Sequence, residues 1–328
     1  MSTTPPIEHG ATQTESHATK GPMRHSRITI VTTAAVAALA LASCASDSSP
    51  AASSSTTDGA TEQEKSISIG IPSGWDEGIA VSYLWAAMLE GEGYDVELEN
   101  ADIGVLFTSL AGGGYDLMLD AWLPITHEDY VATAGDKITD LGSWYDNAKL
   151  TIAVNEDSPA QSIADLAEMS GEYGNRLVGI DAGAGLTRIT QDEVIPTYGL
   201  DGLNFVVSST PAMLAELSSA TASGDNIAVT LWRPHWAYDE FPIRDLADPE
   251  GTLGDAESIH AFGSADFTER FPEVADWIAA FTLTDEQLFS LENMMFNSDD
   301  YSDDAAAAAA WLEENPTFVD DLKAAAQG

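Results

Sequence analysis

The stretch SISIGIPSGWDEGIAVSYLWAAMLEGEGYDVELEN, Ser66 to Asn100, decides the fold class. Its first six residues predict a strand, and its last six predict a second one. The segment between them predicts a helix, because it carries an apolar stripe and is closed by two glycines. The stripe consists of Val81, Leu84, Trp85 and Met88. A strand, a helix and a strand in that order favour a largely parallel sheet covered by helices.

The same alternation continues along the chain. IGVLFTSLAGGG predicts a helix and YDLMLD a strand. After the segment KITDLGSWYDNAKLTIAVNEDSP, which we interpret as a crossover, helices and strands alternate again from about Leu150 to Pro249, and the tail from Phe267 is mostly helical. Two α/β units joined by extended crossovers imply a cleft between them, where small ligands commonly bind.

The N-terminal segment predicts export. Arg24 and Arg27 precede an uncharged, mostly apolar run that ends in LASC, with Cys44 as its last residue. We therefore predict a signal peptide with a lipobox over residues 1–43, translated from Met1 or Met23. Cys44 would carry a lipid that anchors the protein to the cell membrane on its extracytoplasmic side. An ordinary secretory signal with a chance cysteine is the alternative.

A flexible tether is predicted for residues 44–65, which are rich in Ser, Thr and Ala. The whole chain has 54 Asp and Glu against 12 Lys and Arg, for a formal net charge of −42. Such a surface repels nucleic acid and anionic lipid, so neither is an expected partner. Cys44 is the only cysteine, which excludes an internal disulfide.

Three tryptophans lie where predicted strands end: Trp75, Trp122 and Trp232. Ligands of α/β sheets bind beyond the carboxyl ends of strands, and indole faces attract cations. The three rings therefore predict a cage for a quaternary ammonium group, with padding of the interdomain face as the alternative. The other tryptophans are assigned to packing: Trp85, Trp277 and Trp311 to the core, Trp144 to the core or a hinge, and Trp236 to a position below Trp232.

A histidine and a glycine-rich turn suggest an anionic ligand end. His127 follows Trp122 by five residues on the same loop, so we favour a ligand-binding role over a purely structural one. GIDAGAGLTR places three glycines between a strand and a helix, where free backbone N–H groups can bind a carboxylate or a phosphate. An indole cage and these donors together fit a zwitterion.

Six segments resemble the substrate-binding proteins of glycine betaine ABC transporters. They occur in a consistent order from about Ser66 to Phe267, whereas the helical tail matches only in character. The segments are GWDEGIA, DAWLPITHEDY, LGSWYDNAKLTIAV, GIDAGAGL, SSTPAML and LWRPHWAY. The resemblance implies an α/β, two-lobed periplasmic-binding-protein fold of type II (venus-flytrap) with a ligand cleft between the lobes. Lobe 1 would comprise residues 66–149 and 251–328, and lobe 2 residues 150–250.

The resemblance also implies the roles of individual residues. The trimethylammonium cage falls on Trp75, Trp122 and Trp232, and the carboxylate contacts fall on His127 and the backbone amides of Gly185 and Leu186. Arg233 departs from the family pattern, which usually has a polar residue there. It would form a lobe-closing ion pair or shift the ligand preference.

We therefore predict a monomeric solute receptor that delivers glycine betaine to an ABC permease with a cytoplasmic ATPase. It would carry out no reaction and need neither cofactor nor metal, since the sequence has no nucleophile–base pair, H-E-x-x-H motif or dinucleotide fingerprint. A receptor for choline, carnitine or proline betaine is the alternative within this class. An extracytoplasmic enzyme acting on such compounds and a surface adhesin or scaffold lipoprotein are the alternatives outside it.

Overall fold

The computed structural model describes residues 64–328, which contain nine strands. The strands are β1 Ser66–Pro72, β2 Asp95–Ala101, β3 Leu117–Leu123, β4 Ile138–Asn155, β5 Arg176–Val178, β6 Asn204–Val206, β7 Ala228–Arg233, β8 Ile243–Asp245 and β9 Glu257–Ser264. The predicted signal peptide, Cys44 and nearly all of the predicted tether lie outside the described residues. Within residues 64–328, no helix has the length and apolar character needed to cross a membrane.

Helices flank the strands along the whole described chain. They are α1 Asp76–Gly91, α2 Ile103–Ala111, α3 Glu128–Ala134, α4 Asp165–Glu168, α5 Gly185–Ile189, α6 Ile195–Tyr198, α7 Thr210–Ser223, α8 Ala237–Glu240, α9 Phe267–Arg270, α10 Pro272–Ala280, α11 Asp285–Phe296, α12 Asp304–Glu314 and α13 Phe318–Ala325. A π-helical turn over Thr190–Val194 separates α5 from α6.

The strands form two sheets that share β4. The first sheet has the order β2-β1-β3-β9-β4, and the second has the order β4-β7-β5-β6 with β8 paired to β4. Residues 138–148 of β4 pair with β9, and residues 149–154 pair with β7. An 18-residue strand extends over roughly 60 Å, since each residue rises about 3.3 Å, so it is long enough to serve both sheets.

The sheets are mixed, which corrects the expectation of a largely parallel arrangement. β1 is parallel to β2 and β3, whereas β9 is antiparallel to β3 and β4, and β7 is antiparallel to β4. β4 lies where we expected only a crossover, and β8 and β9 were not predicted. Antiparallel neighbours need no helical crossover, so the order of predicted elements gave no sign of them.

Four tryptophans assigned to packing are buried in the described residues: Trp85, Trp144, Trp277 and Trp311. Trp144 belongs to the core, and its Nε1 donates to the carbonyl oxygen of Leu119 at 2.6 Å. The ring of His235 contacts the rings of both Trp232 and Trp236, and the packing of Trp236 below Trp232 stays a prediction. The His235 centroid is 4.7 Å from that of Trp232 and 5.6 Å from that of Trp236.

Gly263 in β9 permits a close approach of α9, and this predicts a specific loss of stability. A Cβ atom at Gly263 would lie 2.6 Å from the Cβ of buried Phe267. We expect Gly263→Ala to lower the free energy of unfolding by about 1–3 kcal/mol through overpacking, measured by urea denaturation. Gly91→Ala is the matched control, because a Cβ there meets nothing within 4 Å and should be neutral or slightly stabilising in a helix. Equal stability of the two variants would contradict the packing argument.

Candidate ligand-binding site

Trp75, Trp122 and Trp232 line one cavity with an empty volume of about 280 Å³. Trp75 lies on the loop after β1, Trp122 near the end of β3, and Trp232 near the end of β7. The strand pairings set the last two positions, since Trp122 is opposite Ile259 and Trp232 is opposite Leu150. The three side chains are only 7%, 3% and 3% exposed, so a ligand in contact with them would be largely desolvated.

The N–H edges of two of these indoles are occupied by buried carboxylates. Trp122 Nε1 donates to Asp120 Oδ1, and Trp232 Nε1 donates to Glu77 Oε2, each at 2.9 Å. The ring of Trp75 is instead stacked on that of His127, with 5.4 Å between centroids and 1° between planes. The polar edges of Trp122 and Trp232 are thereby satisfied within the protein, which leaves ring surface as their contribution to the cavity.

His127 is a buried hydrogen-bond donor without a partner. Its Nδ1 accepts the backbone N–H of Trp122 at 2.8 Å, so in the neutral ring the proton lies on Nε2. Nε2 is buried and has no hydrogen-bond partner among the described residues. Burial, with a smaller contribution from the charge of Arg188, lowers the pKa of His127 to about 3. The imidazole is therefore a neutral N–H donor at physiological pH.

Gly185 and Leu186 lie at the start of α5 and line the same cavity. The first N–H groups of a helix have no partner within it, and this makes them donors for an anion. Glycine is required at 185 by its surroundings, because a Cβ atom there would lie 2.3 Å from the carbonyl oxygen of Thr126. The turn thus packs directly against the loop that carries His127.

The loop before His127 is held from two directions. Glu257 of β9 accepts the backbone N–H groups of Ile125 at 2.6 Å and Thr126 at 2.9 Å, as well as the Thr126 hydroxyl. From the opposite side, Arg188 of α5 donates to the carbonyl oxygens of the same two residues at 3.3 and 3.4 Å. Tyr130 adds a hydrogen bond to the carbonyl oxygen of Gly183 at 2.8 Å.

Sequence reasoning missed Glu77, Asp120 and Glu257 in this site. The sequence could have pointed to Glu77 and Asp120, since each lies two residues from a tryptophan of the cavity. No local signal pointed to Glu257, because it comes from β9, more than 120 residues away along the chain. Neither Asp120 nor Glu257 lines the cavity, whereas Glu77 does.

Arg233 does not form the ion pair between lobes that the sequence suggested. Its Nε donates to Asp245 Oδ2 at 2.8 Å, and its guanidinium carbon lies 3.5 Å from the ring centroid of Tyr238. Asp245 belongs to β8, which pairs with β4 in the same sheet as β7. Arg233 therefore links β7 to β8 within one sheet, and the alternative role suggested for it, a shift in ligand preference, stays a prediction.

The site residues include no group that could hold a metal ion. Across residues 64–328, no cluster of three or more His, Cys, Asp or Glu side chains has the arrangement of a metal site. The cavity itself is lined by rings, aliphatic side chains, His127, Thr126 and Glu77. This lining suits reversible binding of a small organic cation or zwitterion.

Comparison with known proteins agrees with this geometry. The family model described as the substrate binding domain of ABC-type glycine betaine transport system matches residues 65–314. The glycine betaine/carnitine transport binding protein GbuC of Listeria monocytogenes is 34% identical over 164 residues, which are 49% of this chain. This match covers 52% of GbuC, about half of that protein.

Two solved structures share the fold over nearly their full length. Lactococcal OpuAC, in its closed conformation with glycine betaine, is 26% identical with a TM-score of 0.72, covering 79% of this chain and 99% of OpuAC. The glycine betaine, L-proline-binding protein ProX of Borrelia burgdorferi is 27% identical with a TM-score of 0.73. The match covers 80% of this chain and 100% of ProX.

These matches confirm the two-lobed type II periplasmic-binding-protein fold that the resemblance implied. The family model spans most of the chain and includes every residue that lines the cavity. The chain therefore belongs to the family of substrate-binding domains of ABC-type glycine betaine transport systems.

Proposed function

We propose that this protein captures glycine betaine outside the cytoplasm and delivers it to an ABC permease, driven by a cytoplasmic ATPase, for osmoprotective uptake. The observation that carries the proposal is the cavity itself, where three indoles and an unpartnered neutral imidazole meet. Proteins of this family bind solute without transforming it, and substrate-binding proteins of ABC importers act outside the cytoplasm.

The cationic end of the ligand would contact Trp75, Trp122 and Trp232. A trimethylammonium group has diffuse charge and no N–H donor, so it tolerates desolvation without a hydrogen-bonding partner. Cation–π contacts reach about 2 kcal/mol or more when the cation is desolvated. The low exposure of all three rings provides that condition.

The carboxylate end would be bound by His127 Nε2 and the backbone N–H groups of Gly185 and Leu186. Because the pKa of His127 is lowered to about 3, the imidazole donates without first taking up a proton. These three donors supply no formal positive charge, which suits glycine betaine because a zwitterion has no net charge.

Closure of the two lobes would complete the site. We assign residues 66–149 and 251–328 to lobe 1 and residues 150–250 to lobe 2. With these boundaries, lobe 1 carries Trp75, Trp122 and His127, whereas lobe 2 carries Trp232 and the α5 amides. Arg188 and Tyr130 then donate their hydrogen bonds from one lobe to the other.

The anchoring of the receptor is part of the proposal. A lipid on Cys44 would hold the protein at the cell membrane, and residues 44–65 would tether the body within reach of the permease. The receptor would act as a monomer, since its two lobes form a complete site within one chain.

A series of increasing N-methylation tests the cage. Glycine, sarcosine, dimethylglycine and glycine betaine keep one carboxylate and differ only at nitrogen. Each lost methyl removes about 0.8 kcal/mol of apolar contact and exposes an N–H that indole faces satisfy poorly, at about 1–3 kcal/mol. We expect affinity in isothermal titration to rise roughly tenfold or more with each methyl.

Choline keeps the methyls but lacks the carboxylate, so it should bind more weakly than glycine betaine. His127→Ala should weaken choline binding less than glycine betaine binding, because both ligands lose the ring that is stacked on Trp75 but only glycine betaine also loses the Nε2 donor. A flat methyl series would rule out the cage, and tighter binding of choline would move the assignment to the choline receptor. Turnover of either compound would favour the enzyme instead.

Gly185 provides a test of closure. Gly185→Ala places a methyl group against the Thr126 carbonyl, which should weaken glycine betaine binding by about 1–3 kcal/mol, or roughly tenfold to a hundredfold. Gly202→Ala in the same lobe is the control, because a Cβ there meets nothing within 4 Å. Titration calorimetry should separate the two variants, and unchanged affinity in Gly185→Ala would remove this contact from the mechanism.

The lipid anchor depends on a single residue. Cys44→Ser should abolish metabolic labelling with a fatty acid and release the protein from the membrane fraction, because no other cysteine can carry the lipid. Fractionation and immunoblotting measure the distribution. A processed, unlabelled protein that stays with the membrane would contradict the lipobox assignment.

A further inference from the structure

Two buried carboxylates adjoin the tryptophans of the cage. Asp120 and Glu77 accept the indole N–H groups of Trp122 and Trp232 respectively. Each of these two cage rings is therefore hydrogen-bonded to a buried acid. Asp120 does not line the cavity and would act on the ligand through the ring of Trp122, whereas Glu77 holds Trp232 and also lines the cavity itself.

The two acids lie close to each other. Glu77 is followed by Gly78, and a Cβ atom on Gly78 would lie 2.4 Å from Asp120 Oδ2. That oxygen is buried and has no hydrogen-bond partner among the described residues. Two ionised carboxylates in such a position would repel each other, and an unpaired buried charge is strongly unfavourable.

No Lys, Arg or His of the described residues forms an ion pair with either acid. None of the ion pairs among residues 64–328 includes Glu77 or Asp120. The charge of buried Glu292 on α11 adds to the repulsion at Glu77. A quaternary ammonium held by the cage would be the nearest compensating positive charge.

We propose that Glu77 and Asp120 retain a proton in the ligand-free protein and release it to solvent when the quaternary ammonium enters the cage. This inference rests on the proposed function. In the step, the O–H bond of one carboxyl group breaks, its electron pair stays on the oxygen, and the proton passes to buffer. The cation and the new carboxylate then neutralise each other across the indoles.

The direction of the pKa shifts agrees with this step. Burial raises the pKa of Asp120 to about 7, and burial together with the Asp120 charge raises that of Glu77. A nearby cation favours the ionised form and lowers both pKa values again. The ligand-free protein therefore binds more protons than the complex, so affinity for glycine betaine should rise with pH near neutrality.

Three of the four other titratable groups near the pair do not account for the same effect above pH 7. Burial lowers the pKa values of His127 and His235 to about 3, so both rings stay neutral. Asp76, which accepts the Trp236 indole N–H, has a pKa raised to about 6 and is mainly ionised above pH 7. The fourth group, Glu292, is a candidate source of the released proton, because burial raises its pKa as well.

Titration of glycine betaine into the wild-type protein, in buffers of different ionisation enthalpy at pH 7.5, measures proton release directly. We expect a substantial fraction of one proton to be released, and affinity to rise between pH 7 and 8 by up to about tenfold, the limit for one linked proton. The carbon isostere 3,3-dimethylbutanoate keeps the shape and the carboxylate without the cation, and its binding should release no proton.

The variants Glu77→Gln and Asp120→Asn keep an oxygen that can accept the indole N–H but cannot ionise. Each should reduce the proton release, and the double variant should abolish it together with the pH dependence. Glu292→Gln is the matched control, since Glu292 is buried nearby but accepts from no cage indole, and it should retain the release. Indole fluorescence reports whether the cage stays folded.

Buffer-independent heats in the wild type would overturn the proposal without any variant. Release that persists in the double variant, or that disappears in Glu292→Gln alone, would also overturn it. Absence of glycine betaine binding at every pH would instead refute the proposed function, because proton linkage can be measured only for a ligand that binds.

Discussion

A buried indole N–H needs an acceptor, and the cage of this protein is built around that requirement. Trp122 and Trp232 meet it with the side chains of Asp120 and Glu77. Each acceptor fixes the ring plane of its tryptophan and leaves the electron-rich face to the cavity. The consequence is that two acidic groups with no ion-pair partner among residues 64–328 are buried next to the rings that would attract a cation.

The same requirement extends beyond the cage. Trp236 Nε1 donates to Asp76, which precedes Glu77 in the chain, and Trp144 Nε1 donates to a backbone carbonyl. Among residues 64–328, no protein acceptor lies within hydrogen-bond distance of the Trp85 and Trp311 N–H groups in the core. The two indoles that line the cavity and donate to side chains both donate to carboxylates, Asp120 and Glu77.

β4 sets the geometry in which these groups meet. One strand pairs with β9 in the first sheet and with β7 in the second, so the two sheets are connected directly through β4. Trp122 is placed through β3 and β9, and Trp232 through β7 and β4. Contacts from Arg188, Tyr130 and the Gly185 turn join the two sides at the front.

The sequence by itself determined the α/β class, the family and the positions of the three tryptophans at strand ends, because periodicity and ring chemistry are local properties. It could not determine the mixed sheet order, since the paired residues of β4 and β9 lie more than a hundred positions apart in the chain. Only the tertiary structure decided which acids accept the indole N–H groups. Asp120 accepts from Trp122, two residues away, whereas Glu77 accepts from Trp232, 155 residues further along the chain. Burial likewise decided that His127 is a neutral donor, because desolvation depends on everything packed around the ring.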